Sequence, residues 1–175
     1  MRAGAEVMTS DAGGGEFVIS RVLDAPRERV WHTLTDVEAM KHWWGPAGFT
    51  MIAGKLDLRP GGVFHGGIRS AEGYKIWGKF VYQEIKAPER LVFINTFSNE
   101  AGEVTKHPIM PTWPRETLTT LILEEESPGR TKLTVRWSPH NASDLERKTF
   151  DAAHIGMKAT WNGTFDRLAA YLANA

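Results

Sequence analysis

Residues 143–172 carry one continuous pattern that any fold of this chain has to accommodate. Phe150, His154, Met157, Trp161, Phe165 (or Thr164), Leu168 and Leu172 recur at alternating spacings of three and four, which keeps one face of a helix apolar. Ser143 with Glu146 is a capping-box start, in which a hydroxyl and a carboxylate satisfy backbone donors that the first turn leaves open. Asp144 and Glu146 also suit the positive end of the helix dipole. The spacing predicts a single helix of roughly 40 Å. Its apolar stripe needs a matching surface.

The preceding chain offers that surface as strands. Residues 16–23 read as a first strand, with Phe17, Ile19 and Val22 as β-formers. Pro26 suits a helix start, and Val30, Trp31 and Leu34 form the buried side of a short helix. A second short helix is expected from Thr35 with Glu38, a further capping-box signature, to the stop at Gly45-Pro46, with Val37, Met40 and Trp44 inward. Strands follow at 50–58, 63–70, 75–85, 91–97, 115–125 and 131–138, punctuated by Gly- and Pro-containing turns. Consecutive short strands of this kind indicate an antiparallel meander. The stretch 98–113, with Gly102, Pro108 and Pro111, reads as an irregular insertion able to act as a gate. The expected fold class is α+β: a curved antiparallel sheet of about six to seven strands wrapped around a long C-terminal helix, with two short helices after the first strand. Residues 1–15, small and polar and ending in three glycines, are expected to be a mobile tail before one domain at 16–175.

Composition removes several function classes. Formal net charge is +0, with no long run of either sign, so no electrostatic footprint for nucleic acid or an anionic membrane is present. Cysteine is absent, which excludes thiol catalysis and thiolate metal sites and fits a reducing compartment. The six histidines show no metal-binding spacing, so no metal or other cofactor is expected. No stretch is apolar enough to span a bilayer, and residues 1–15 lack the apolar run of a secretory signal, so the expected location is cytoplasmic.

A set of segments, in order, resembles one known family. They are Trp43-Trp44-Gly45-Pro46 with Phe49-Thr50, Pro60-Gly61-Gly62, Trp77-Gly78, Glu84-Ile85 with Pro88-Glu89-Arg90-Leu91-Val92-Phe93, Thr112-Trp113-Pro114, and Gly156 with Trp161 and Leu168-Ala169-Ala170-Tyr171-Leu172. From about Phe17 to Leu172 the chain resembles the activator of Hsp90 ATPase homologue 1-like family, within the START-like (Bet v1-like, polyketide cyclase) superfamily. The resemblance implies the helix-grip fold and a cavity for lipids, hormones, flavonoids or polyketides; some superfamily members act as cyclases. The eukaryotic chaperone co-activator has an additional N-terminal domain for which the residues before Phe17 leave no room, which argues against an Hsp90-type chaperone partner. A homodimer stays open.

Candidate site residues follow from the cavity expectation. Trp44, Phe49, Trp77, Phe80, Tyr82, Phe97, Trp113 and Trp161 are candidate walls, since small-molecule sites are concave and mostly apolar, although large rings also fill cores. Met157 on the helical stripe joins them. His65 and Arg69 share a strand face, and Glu116 shares one with Leu118 and Ile122. If that face points inward, Glu116 would serve ligand recognition or acid–base work, or else form a structural pair with Arg69 or His65. His154 is either a core residue or a ligand contact. The expected function is binding of a small hydrophobic ligand without catalysis. The alternatives are a cyclase-like enzyme using Glu116, His65, Arg69, Tyr82 or His154, and a chaperone cofactor.

Overall fold

The structure is a computed structural model and describes residues 15–174; the expected N-terminal tail lies, apart from Gly15, outside the described residues. Strand β1 (Phe17–Leu23) leads to helices α1 (Arg27–Thr35) and α2 (Val37–Met40). Then come β2 (Phe49–Leu56), β3 (Val63–Ser70), β4 (Lys75–Lys86), β5 (Arg90–Ser98), β6 (Val104–Thr105), β7 (Glu116–Ser127) and β8 (Arg130–His140). Helices α3 (Asp144–Ala152) and α4 (His154–Asn174) close the chain. All pairings are antiparallel. The sheet order is β1-β8-β7-β5-β4-β3-β2, with β6 on β5. The seven strands of the main path are those outlined by the sequence. The eighth falls inside the stretch expected to be irregular, where β6 pairs Val104 with Ser98 and Thr105 with Phe97.

Two local expectations are corrected. The C-terminal stripe is not one helix: it breaks at Ala153, which sits at φ −89°, ψ −4° and bonds its N–H to Phe150 O at 3.1 Å. On either side of that tight turn, α3 packs by β8 and α4 by β1. The apolar face survives the break, with Phe150, Met157, Phe165, Leu168 and Leu172 all buried. The capping box at Ser143 and Glu146 forms as expected. The second box does not. Asp36 is the N-cap of α2, accepting from Ala39 N at 2.9 Å, because its carboxylate reaches that donor while the Thr35 hydroxyl bonds back to Trp31 O at 2.7 Å.

Strand alternation decides what the sheet offers the helices. Phe17, Ile19 and Leu23 on β1, Leu121 and Leu123 on β7, and Leu133 and Val135 on β8 are buried on the inner face. They meet Val30 and Leu34 of α1 and Phe165, Leu168 and Leu172 of α4 in one core. Polar ties fix the arrangement. Arg21 of β1 pairs with Asp166 and lies over the Phe165 ring. Arg29 donates to Leu172 O at 2.6 Å, near the negative end of α4. This core occupies the β1–β8–β7 side; across β3, β4 and β5 the sheet and α4 do not close on each other, and the space between them is the site.

A candidate ligand cavity between sheet and helix

The cavity begins with three glycines. Gly54, Gly66 and Gly78 are register partners across β2, β3 and β4, giving a row without side chains on the inner face. The Trp44 ring lies over this row, 3.7 Å from a Cβ built on Gly78 and 3.0 Å from one on Gly66. It also meets Phe64 and Phe80 edge-on, at 5.1 and 6.1 Å. Gly66 and Gly67 keep regular register with β4, and the irregularity of β2 between Met51 and Ala53 falls opposite Gly67 and Ile68. They are glycine because rings cross them: a Cβ would stand 2.6 Å from Phe64 at Gly66 and 2.8 Å from Trp77 at Gly67. The chain leaves Trp44 through Gly45, whose φ of +98° suits glycine. Arg167 of α4 then fastens that exit, donating to Gly45 O at 2.8 Å and Pro46 O at 3.3 Å.

Beneath this rim lies a cavity of about 670 Å³, walled by Trp44, Phe49, Phe80, Phe93 and Phe97 and closed by Thr160, Trp161 and Thr164 of α4. Among the described residues no Asp, Glu, Lys or Arg lines it. A second cavity of about 530 Å³ lies against Trp113, Pro114, Gly156 and Met157. The two share Asn95, Thr96, Phe97, His107, Trp137 and Thr160 as walls. Gly156 and Gly163 of α4 have nothing within 4 Å of a built Cβ, so no neighbouring backbone approaches either closely, and Gly156 lines the smaller cavity.

His107 stands where the cavities meet. Its Nδ1 accepts from Ile109 N at 3.1 Å and Met110 N at 3.0 Å, while its ring meets Phe97 at 4.6 Å and Trp113 at 5.7 Å. Burial holds its pKa below the usual histidine value. Burial likewise pushes the Tyr82 phenol well above its ordinary range, so it stays protonated.

Of the residues singled out from sequence, Trp44, Phe49, Trp77, Phe80, Tyr82, Phe97 and Trp161 line the larger cavity, and Trp113, Met157 and again Phe97 the smaller. Trp77 does so with its ring committed elsewhere: it lies over Gly67 and stacks on His65 at 5.1 Å, on the outer face. His65, Arg69, Glu116 and His154 line neither cavity. His65 Nε2 bonds Asn99 O at 3.1 Å. Arg69 is exposed on β3, and two strands separate it from Glu116, so the pair considered from sequence does not form. The face that Glu116 shares with Leu118 is the outer one, since Thr117, Thr119, Leu121 and Leu123 are the buried set; Glu116 instead accepts from Asn141 at 3.3 Å. His154 packs edge-on against Phe17 and Phe150.

The reading from sequence missed Trp43, Phe93, Asn95, His107, Thr119 and Trp137. Trp137 continues the alternation of Leu133 and Val135, a signal that was present. Thr119 had a weaker one, because β7 is apolar on both faces and its parity is ambiguous from sequence.

A strongly curved antiparallel sheet that grips a C-terminal helix over an apolar cavity defines a helix-grip protein of the START-like class. The chain belongs to the family described as Activator of Hsp90 ATPase homolog 1-like protein, which matches residues 24–173. No curated protein matches it. Among solved structures, it is similar to a protein from Arthrobacter aurescens at 24% identity, covering 97% of this chain and 92% of that one with a TM-score of 0.78. It is also similar to a Mycobacterium smegmatis protein at 20% identity, covering 95% and 97%, TM-score 0.76, and to an AHSA1 protein from Silicibacter pomeroyi at 18% identity, covering 90% and 97%, TM-score 0.68. These likenesses establish the fold. Among the described residues no helix is long and apolar enough to cross a membrane.

Proposed function

We propose that this protein binds a small hydrophobic molecule, aromatic, polyketide-like or lipid-like, between its sheet and its C-terminal helix. The observation that carries the reading is the larger cavity: about 670 Å³ of ring-walled space that, among the described residues, no carboxylate, ammonium or guanidinium lines. Space of that size matches the range of small-molecule sites. The cysteine-free composition fits this work being done in the cytoplasm. Acid–base catalysis finds less support. Of the five residues considered for it, Tyr82 alone lines either of these two cavities, and a phenol kept protonated by burial donates hydrogen bonds rather than accepting protons.

The test is a titration with flavonoids, polyketide-like aromatics and fatty acids, followed by indole and amide NMR shifts. Shifts concentrated at Trp44, Trp137 and Trp161, abolished by the cavity-filling variant Thr160→Trp, support the reading. A panel that moves no resonance in the cavity walls refutes it.

A further inference from the structure

The cavity floor carries a polar feature that the hydrophobic reading leaves unexplained. In the sheet register Phe93 pairs with Tyr82 on one side and Thr119 on the other. Asn95 follows two positions along β5, on the same face. Tyr82, Asn95 and Thr119 therefore surround Phe93, and all three line the larger cavity. Tyr82 is 1% exposed and Thr119 3%. None of the three side chains makes a hydrogen bond to another described residue. Three other threonines of the cavity walls are bonded within the chain: Thr117 to Asn95 O at 3.4 Å, Thr160 to Gly156 O at 3.1 Å and Thr164 to Thr160 O at 3.2 Å; Thr96 Oγ1 and Trp137 Nε1, also in these walls, are buried without a partner. Polar side chains that line an apolar cavity without a partner in the chain are open to one brought in from outside, and three of them are grouped on this floor.

Resting on the ligand-binding reading above, we propose that the guest is an uncharged molecule whose carbonyl or hydroxyl group sits on the ledge formed by Tyr82, Asn95 and Thr119. The chemistry of the three groups sets the class. A phenol and an alcohol each donate and accept, and a carboxamide does both at separate atoms. That set matches one neutral oxygen function on an apolar skeleton. It does not match a carboxylate, which would lose its water in a space where no cation among the described residues lines the wall. Free fatty acids and other anions are thus poor guests, and neutral ketones, phenols or alcohols of aromatic skeletons good ones.

Three probes of one skeleton test this: 2-acetylnaphthalene, its hydrocarbon counterpart 2-ethylnaphthalene, and 2-naphthoic acid, titrated at pH 7 by calorimetry. The ketone should bind about tenfold tighter than the hydrocarbon, and the acid most weakly. Thr119→Val and Tyr82→Phe, which each remove one hydroxyl with little change of shape, should lower ketone affinity severalfold while hydrocarbon affinity holds or rises; circular dichroism verifies that both fold. Equal binding of ketone and hydrocarbon, tightest binding of the acid, or an unchanged ketone preference in both variants overturns the ledge and leaves the hydrophobic site standing. Failure of all three probes to bind overturns the ledge and the site together.

Discussion

Single atoms set the width of this cavity. Gly66 lacks a Cβ because Phe64 and Trp44 occupy its place, and a methyl there would force rings or backbone to move. Gly66→Ala should lower the stability measured by urea unfolding by about 1–3 kcal/mol. Gly163, in mid-helix with open space around it, should respond oppositely, with Gly163→Ala raising stability by about 0.5–1 kcal/mol in the same measurement. The contrast shows what was legible at this scale. Most aromatic residues of the walls could be named from sequence, but Trp43, Phe93 and Trp137 were not, because a ring in a strand can equally well fill a core. The polar residues of the floor could not, since a threonine or asparagine in a strand looks the same whether it faces solvent or a cavity. Glu116 and Thr119 illustrate the cost: one parity choice on a strand apolar on both faces exchanges the outer residue for the inner one.

At the level of elements, the segment between β5 and β7 is held by a titratable side chain. His107 binds two amide N–H groups through Nδ1 and can do so only while that nitrogen is unprotonated. Its folded pKa is depressed below the ordinary 6.5. The unfolded chain therefore takes up this proton first as pH falls. The contribution of His107 is complete above about pH 6.5 and is lost as pH drops toward the depressed value. Amide exchange at Ile109 and Met110 should accelerate between pH 7 and 5.5 relative to β5 and β7, and His107→Ala should remove that pH dependence. Elements were also the scale at which sequence spoke most clearly. Seven strands and the capped start of α3 follow from alternation and from the Ser143–Glu146 pairing. The break at Ala153 does not, because no glycine or proline marks it and the apolar period passes through it unaltered. The two-residue β6 is too short for any alternation to show.

For the molecule as a whole, the core and the cavity divide the sheet between them, and stability should therefore respond to occupancy. A guest that binds only the folded chain raises the unfolding free energy by about 2.7 kcal/mol at a hundred times its dissociation constant. Thermal unfolding with and without 2-acetylnaphthalene should show the corresponding rise in Tm, growing with the logarithm of ligand concentration. The Thr160→Trp variant should show none.

The guanidinium of Arg167 joins the two extremes of this architecture, since the helix that finishes the chain grips carbonyls at Gly45 and Pro46, more than a hundred positions earlier. A visitor passing under that clasp would have to loosen the terminal helix and the early turn in a single act. Deuterium uptake around residues 45–49 and around residues 164–168 should consequently slow together once the chamber is filled. In Arg167→Met the two stretches should each keep their own pace.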